Sequence, residues 1–404
     1  MTKDDVRSDP TQPLPGPPDP WAETDMPSHR DGPPWHMTEM IEAEPALAER
    51  LLTRLADPSS AAGALAEQIR ATAFRRASIV VTGCGTSEHG AQAFAEILRD
   101  AMRTAGLPWR LGEGGAPVAA QAYEASLEDE LGAGGLVIGI SHEGGTWATN
   151  LALERARSSG AAIGLVTVSE RSPAGQRADV VVATGELDQS WCHTIGYLAP
   201  ILAATAVGAH LSGRPIDPKV IRSLLAAGLE ANAVASVERL AALLAPLDRI
   251  IVTGSGADRI AARELALKLE EGTHMPASAR DLETLLHGHL AGMDGRTGLV
   301  LIASDEANVD ARRSRAAGAL RAAAAIDCTI GVIAGPAYRE AFEGAGRKVA
   351  PNVETAGLPR VVAALVGTAV PLQILTERIA RIRGVNPDPI RRDDPAYLRA
   401  AEAP

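Results

Sequence analysis

The sequence predicts an α/β protein built from two similar halves, and three observations carry that prediction. Short runs rich in Val and Ile alternate with Ala-rich stretches of helical spacing. The runs are apolar without interruption, as strands buried on both faces are, which indicates a parallel sheet covered by helices. The order strand, glycine turn, amphipathic helix also recurs 171 residues further on, "SIVVTGCGTSEHGAQAFAEILRD" being followed by "RIIVTGSGADRIAARELALKLEE". With 404 residues the chain is long enough for two domains.

Taken in order, residues 1–35 are rich in Pro and Asp and show no periodicity, so a disordered tail is expected there. A helical segment over 36–77 follows, from "HMTEMIEAEPALAERLLTRLA" and "AAGALAEQIRATAF". Strands are expected at "SIVVTG" (78–83), "GLVIGIS" (135–141), "AIGLVTV" (162–168) and "DVVVAT" (179–184), giving a first domain over 78–213. The second domain is expected over 240–385. Its "GLVLIASDEAN" echoes "GLVIGISHEGG", with Ser304, Asp305 and Glu306 against Ser141, His142 and Glu143. "CTIGVIAG" and "RKVAPNVE" supply its last two strands, and 386–404 forms a C-terminal tail.

Composition narrows the function. A net charge of -11 gives no footprint for nucleic acid. No apolar run is read as reaching the roughly 18 residues of a membrane helix, so no membrane partner is expected. Cys84, Cys192 and Cys328 are far apart without CxxC spacing, which argues for a reducing cytoplasm and against structural zinc. Neither a metal nor a cofactor is called for.

Three stretches carry chemistry. In "TGCGTSEHG" two glycines end a strand and Thr86 and Ser87 open a helix, so backbone N–H groups and hydroxyls could hold an anion or sugar hydroxyls. The same turn also serves as a plain strand–helix connection. In "SHEGGT", Ser141 and Thr146 can donate to a phosphate and a protonated His142 would help, but Glu143 should repel an anion. Two such turns at the carboxyl ends of strands converge on the crevice where doubly wound folds bind ligands. In "ELALKLEEGTHMPASARDLETLLHGHLAG", Glu264, Lys268 and Glu271 share a helix face. That face reads either as a solvated Glu–Lys pair or, with His287, as an acid/base pair.

Together these stretches resemble the sugar isomerase (SIS) proteins, in particular the tandem-SIS isomerase half of glutamine–fructose-6-phosphate aminotransferase and amino-sugar-phosphate deaminases. The likeness runs from "HMTEMIEAEP" to about Asp388. "CGTS" (Cys84, Gly85, Thr86, Ser87) matches the first sugar-phosphate loop, "SHEGGT" stands for the family's "SQSGET", and "ELALKLEE" for "EGALKLKE". "LLHGH" stands for "LKHGP", His287 lying sixteen positions after Glu271, and "VPLQILTERIARIRGVNPD" resembles the closing helix.

The resemblance implies two SIS domains in tandem, each a five-stranded parallel sheet flanked by helices. It implies a small-molecule sugar or sugar-phosphate ligand held by Thr86, Ser87, Ser141 and Thr146, and a homodimer with a shared site. Glu271 would move a proton between C1 and C2, His287 from a partner chain would open the ring, and Glu264 and Lys268 would orient Glu271 or bind substrate hydroxyls. Thr194, beside His193, falls near the family's third sugar loop.

Four departures bear on the reaction. Glu143 replaces a serine of the phosphate loop, and Glu88 replaces the tyrosine after "CGTS". The tail has no lysine to form an imine with a ketose, although Arg391 or Arg392 could approach the site. No glutaminase domain is expected ahead of the SIS half. The expectation is therefore an amino-sugar-phosphate isomerase or deaminase that hydrolyses no glutamine. The alternatives are an isomerase or deglycase for an unphosphorylated or cationic sugar, and a non-catalytic sugar-binding regulator.

Overall fold

In the computed structural model, residues 9–19, 21–22, 28–338, 342, 347–349 and 357–401 are described, and two sheets of five parallel strands are wrapped by helices. Helices α1 (His36–Leu55) and α2 (Ala61–Phe74) precede the first sheet. The chain continues through β1 (Ile79–Gly83), α3 (Thr86–Thr104), β2 (Pro117–Gln121), α4 (Ala122–Ser126), β3 (Leu136–Ile140), α5 (Trp147–Ser158), β4 (Ala162–Thr167), β5 (Val180–Ala183) and α6 (Ile195–Ser212). Two linking helices, α7 (Pro218–Gly228) and α8 (Ala231–Leu244), lead to the second unit. It contains β6 (Arg249–Gly254), α9 (Asp258–Thr273), β7 (Ala277–Asp281), α10 (Leu282–Leu286), β8 (Thr297–Ala303), α11 (Val309–Ala324), β9 (Thr329–Ala334) and β10 (Arg347–Val349). Helix α12 (Arg360–Arg383) and the short α13 (Pro395–Ala401) close the chain.

The strand orders are β2-β1-β3-β4-β5 and β7-β6-β8-β9-β10, the same order in each unit. Side chains alternate between two apolar layers, as the pleat requires. Val81, Ile138, Ile250, Val252, Val300 and Ile302 point into one core that runs through both units. Val80, Val137 and Ile163 point into a satellite core under α4 and α5, and Leu299, Leu301 and Val332 into another under α11. Each such side chain contributes about 1.5–3 kcal/mol when fully buried. Two-sided burial is why the strands read as continuous apolar runs.

The edge strands β2 and β7 were not among the strands expected from the sequence. "PVAAQ" and "ASARD" are half-exposed strands with no apolar run, held by pairing to β1 and β6 and by packing against α3 and α9. "RKVAPNVE" contributes β10, and the rest of it lies outside the described residues.

Two further readings need correction. By length and composition α6 and α12 could each cross a membrane. Both are instead largely buried in this fold, α6 against α1, α2 and α3, and α12 against α7, α8 and α9. The described part of the N-terminal segment, read as disordered, also makes specific contacts. Leu14 N–H donates to Glu186 at 2.9 Å, Leu187 N–H donates to the Pro15 carbonyl at 2.9 Å, and Arg50 donates to the Thr11 carbonyl at 3.0 Å. Long-range partners supply the order that local periodicity does not.

Candidate functional site

A cleft of about 440 Å³ opens at the carboxyl ends of β1 and β3, at the point where the strand order reverses. Gly83 ends β1 because the first turn of α3 passes close by; a Cβ there would lie 2.4 Å from the Ser87 carbonyl oxygen. Gly85 then takes φ +56 and turns the chain into α3. Cys84, Gly85, Thr86 and Ser87 line one wall as a result. Burial raises the Cys84 thiol above its ordinary value, so it is no thiolate.

The β3–α5 turn forms the second wall with His142, Glu143 and Thr146. Its shape depends on Gly144, at φ +72, packed where a Cβ would meet the Ser172 hydroxyl. Ser141 is buried beneath the wall, its hydroxyl donating to Thr146 Oγ1 at 3.4 Å. Glu143 lines the cleft and makes no hydrogen bond or ion pair within the described residues.

His142 does not play the cationic role expected of it. Its Nε2 accepts the backbone N–H of Asp188 at 2.9 Å, which requires an unprotonated nitrogen. Burial, then the neighbouring His193 ring, push it down to about 4, against the pull of Asp188. Glu88 likewise does not line the cleft; it accepts the Gln92 amide at 3.2 Å one turn along α3.

The third wall comes from the β5–α6 loop and the chain ends. Trp21, Trp191 and His193 face the cleft, and Ile390 and Arg392 cover one side. Arg392 stacks over Trp191 at 4.2 Å, a cation–π contact, whereas Arg391 stacks over Tyr397 instead. Asp188 holds this loop. Its buried carboxylate accepts N–H groups of Ser190 at 3.1 Å, Thr194 at 2.8 Å and Gly196 at 3.2 Å, capping α6. Burial alone would raise Asp188, but His193, His142 and these N–H groups outweigh it and hold it at about 2. Thr194 is itself buried and does not line the cleft.

From the second unit, α9 sends Glu271 into the cleft. Its companions lie beneath. Lys268 is fully buried, with Nζ 2.5 Å from Glu271 and 3.6 Å from Glu264. Burial would lower the ammonium, yet the two carboxylates raise it above its ordinary value, so it stays charged. Burial would raise Glu264, but Lys268, His89 and Thr86 together hold it below the usual carboxylate range. Neither Glu264 nor Lys268 reaches the cleft surface, so of their two expected roles substrate contact is not available in this arrangement.

His287 stands apart. It follows α10, is 71% exposed, and pairs with Glu283, which also accepts from Arg315. Within one chain the structure does not bring it to Glu271's cleft.

The matching turns of the second unit are filled rather than open. Asp258 accepts the N–H groups of Ser304 and Asp305 at 2.7 and 2.9 Å, and Arg312 pairs with Asp305 at 2.6 Å beside Gly256. Acids and an arginine close the space that hydroxyls leave open in the first unit.

Sequence reasoning missed Trp21, His89, Asp188 and Trp191. Asp188 carried a readable signal, an aspartate shortly before the helix that begins after "CHT"; the others carried none.

The two parallel sheets, with a cleft at the carboxyl ends of β1 and β3, define a tandem α/β protein that carries an SIS domain. Residues 243–320 match the SIS domain family, and the chain is homologous to the isomerase portion of glutamine–fructose-6-phosphate aminotransferase. It is 29% identical over 280 residues to that enzyme from Symbiobacterium thermophilum, covering 65% of this chain and 44% of the relative. The Zymomonas mobilis enzyme is 26% identical over 181 residues, 42% of this chain and 30% of the relative. The chain thus spans less than half the length of these curated relatives. Among solved structures, the C-terminal domain of glucosamine-fructose-6-phosphate aminotransferase from Francisella tularensis superposes with a TM-score of 0.73 at 20% identity, over 88% of this chain and 98% of that one. Tagatose-6-phosphate ketose/aldose isomerase from Escherichia coli gives 0.69 at 19%, over 90% and 97%. Glucosamine-6-phosphate deaminase from Thermotoga maritima gives 0.57 at 17%, over 84% and 96%.

Proposed function

We propose that this protein is an aldose–ketose isomerase of amino-hexose or hexose 6-phosphates, with Glu271 as the proton carrier. One observation carries the reading. Glu271 is the member of the α9 trio that reaches the cleft, and it faces the hydroxyl-bearing turns of the first unit. There the carboxylate would take the proton from C2 and return it at C1 through an enediol or, for an amino sugar, an enamine. In the amino-sugar case the resulting imine adds water and releases ammonia, so isomerisation and deamination share one step. Ser87 and Thr146 would hold the sugar or its phosphate, Thr86 Oγ1 would accept from a sugar hydroxyl while donating to Glu264, and Lys268 would fix Glu271. The names of the relatives and structural neighbours support this substrate class.

Ring opening needs a second acid/base group. We assign it to His287 of a second copy in a homodimer, because His287 is exposed and outside its own chain's cleft. The unbridged cysteines fit a cytoplasmic site of action.

The reading is tested by following C2–H exchange and ketose formation from glucosamine 6-phosphate and glucose 6-phosphate in D2O by NMR. Exchange in wild type, lost by about 10²–10⁴-fold in Glu271→Gln, supports it. Absence of exchange with either sugar phosphate, under conditions that saturate the cleft, rejects it.

Glu143 favours a second reading. A carboxylate in that turn with no ion partner among the described residues suits a cationic or unphosphorylated sugar, including a sugar–amine adduct open to deglycation. An anion about 4 Å away would be disfavoured by about 4 kcal/mol at an effective dielectric of about 20.

A further inference from the structure

We propose that His89 is a positioning residue for Glu271, acting through Glu264 and Lys268; this rests on the reading of Glu271 as the proton carrier. His89 belongs to α3 of the first unit, while Glu264, Lys268 and Glu271 belong to α9 of the second. The four side chains form one line: His89 Nδ1 to Glu264 Oε2 at 2.6 Å, Glu264 Oε1 to Lys268 Nζ at 3.6 Å, and Lys268 Nζ to Glu271 Oε2 at 2.5 Å. An ionised carboxylate only accepts hydrogen bonds, so Nδ1 carries the proton and donates. Thr86 Oγ1 donates to the other oxygen of Glu264 at 3.3 Å.

The unequal Lys268 distances are the lever. Glu264 is fully buried, and a buried charge must be satisfied or it costs several kcal/mol. Because His89 and Thr86 satisfy it from the first unit, Lys268 is free to lean towards Glu271. Without His89, Glu264 would keep only Thr86 and Lys268 as partners among the described residues, and Lys268 would be drawn back to it. Glu271 would then lose the contact that fixes its carboxylate over the substrate carbons. A second contact between the same helices, Arg263 to the Gln92 amide oxygen at 3.0 Å, keeps α3 and α9 in register when His89 is replaced.

The test compares His89→Ala and His89→Asn with wild type, by steady-state kinetics on glucosamine 6-phosphate and by crystallography of the free proteins. His89→Ala is expected to lower kcat by about 10–100-fold, the scale of a misplacement near 1 Å, with KM close to wild type. His89→Asn keeps a side-chain N–H and is expected to recover most of the loss, which a purely structural role would not produce. In crystals of His89→Ala, Lys268 Nζ is expected off Glu271 and on Glu264. A wild-type kcat in His89→Ala, an equal fall in both variants, or Nζ still seated on Glu271 overturns the proposal. If wild type turns over no sugar phosphate, the functional reading fails, and the position of Nζ still decides whether His89 governs Lys268.

Discussion

The backbone N–H of Asp188 donates to Nε2 of His142, so one loop of the cleft fixes the protonation state of the other. His142 is held down at about 4 against an ordinary 6.5. The unfolded chain therefore binds a proton over that interval that the native chain does not. This part of the stability is complete above about pH 6.5 and is lost as pH falls towards about 4. His142→Gln is expected to flatten the fall of Tm between those values, as measured by differential scanning calorimetry. An unchanged slope would mean that the ring is not neutral in the fold.

Glu44 has the opposite sign. It is fully buried, accepts the Gln373 amide at 2.8 Å, and burial pushes it up to about 8 from 4.5. The native chain keeps a proton that the unfolded chain has released, so stability falls as pH rises from about 4.5 to about 8. Glu44→Gln supplies a neutral side chain of the same shape. Its Tm is expected to exceed that of wild type at pH 8 and to approach it near pH 5. Equal Tm values across this range would count against a protonated Glu44.

Glu143 decides the ligand's charge. If the carboxylate stays in the cleft when ligand binds, wild type should bind glucosamine at least as well as glucosamine 6-phosphate. Glu143→Ser should then tighten phosphate binding by up to about a thousandfold, the equivalent of about 4 kcal/mol. Calorimetry with both ligands on both proteins checks this. Strong preference of wild type for the phosphorylated sugar would show that the side chain turns away.

Lys268 is expected to be costly to remove. Lys268→Met leaves Glu264 without its ammonium partner and Glu271 without its anchor, and breaking a buried pair costs about 3–5 kcal/mol. A urea denaturation curve should show that loss, together with reduced kcat. Little change in midpoint would mean that His89 and Thr86 alone satisfy Glu264.

These side chains show what a sequence can and cannot reveal. Strands such as "IVVTG" were legible because their alternating faces enter two apolar layers and leave no polar break. β2 and β7 were not, since an edge strand of Ala, Ser and Gln has no pattern of its own. The hydroxyl turns were legible because strand, glycine and helix start are adjacent in the chain. The partners of His142 and Glu264 were not. Asp188 lies 46 residues from His142, and His89 lies 175 residues from Glu264, so folding alone makes them neighbours. The charge of His142 was misjudged for the same reason: its environment, rather than its identity, sets it.

A shared active site makes a quantitative prediction. Glu271→Gln removes the proton carrier, and His287→Ala removes the proposed ring-opening group, which in this structure is exposed and away from its own chain's cleft. If each cleft of a symmetric dimer takes His287 from the other copy, a mixed dimer of the two variants holds one intact site and one doubly defective site. Random reassociation makes about half of the dimers mixed, so about one quarter of wild-type activity should return. The measurement is kcat after co-refolding equal amounts of the two inactive chains. Activity in His287→Ala alone would assign ring opening to another group, and His193 and His142 are imidazoles already lining the cleft. Two inactive variants that restore nothing when mixed would place both residues in a site built by one chain, which would require α10 to move towards α9.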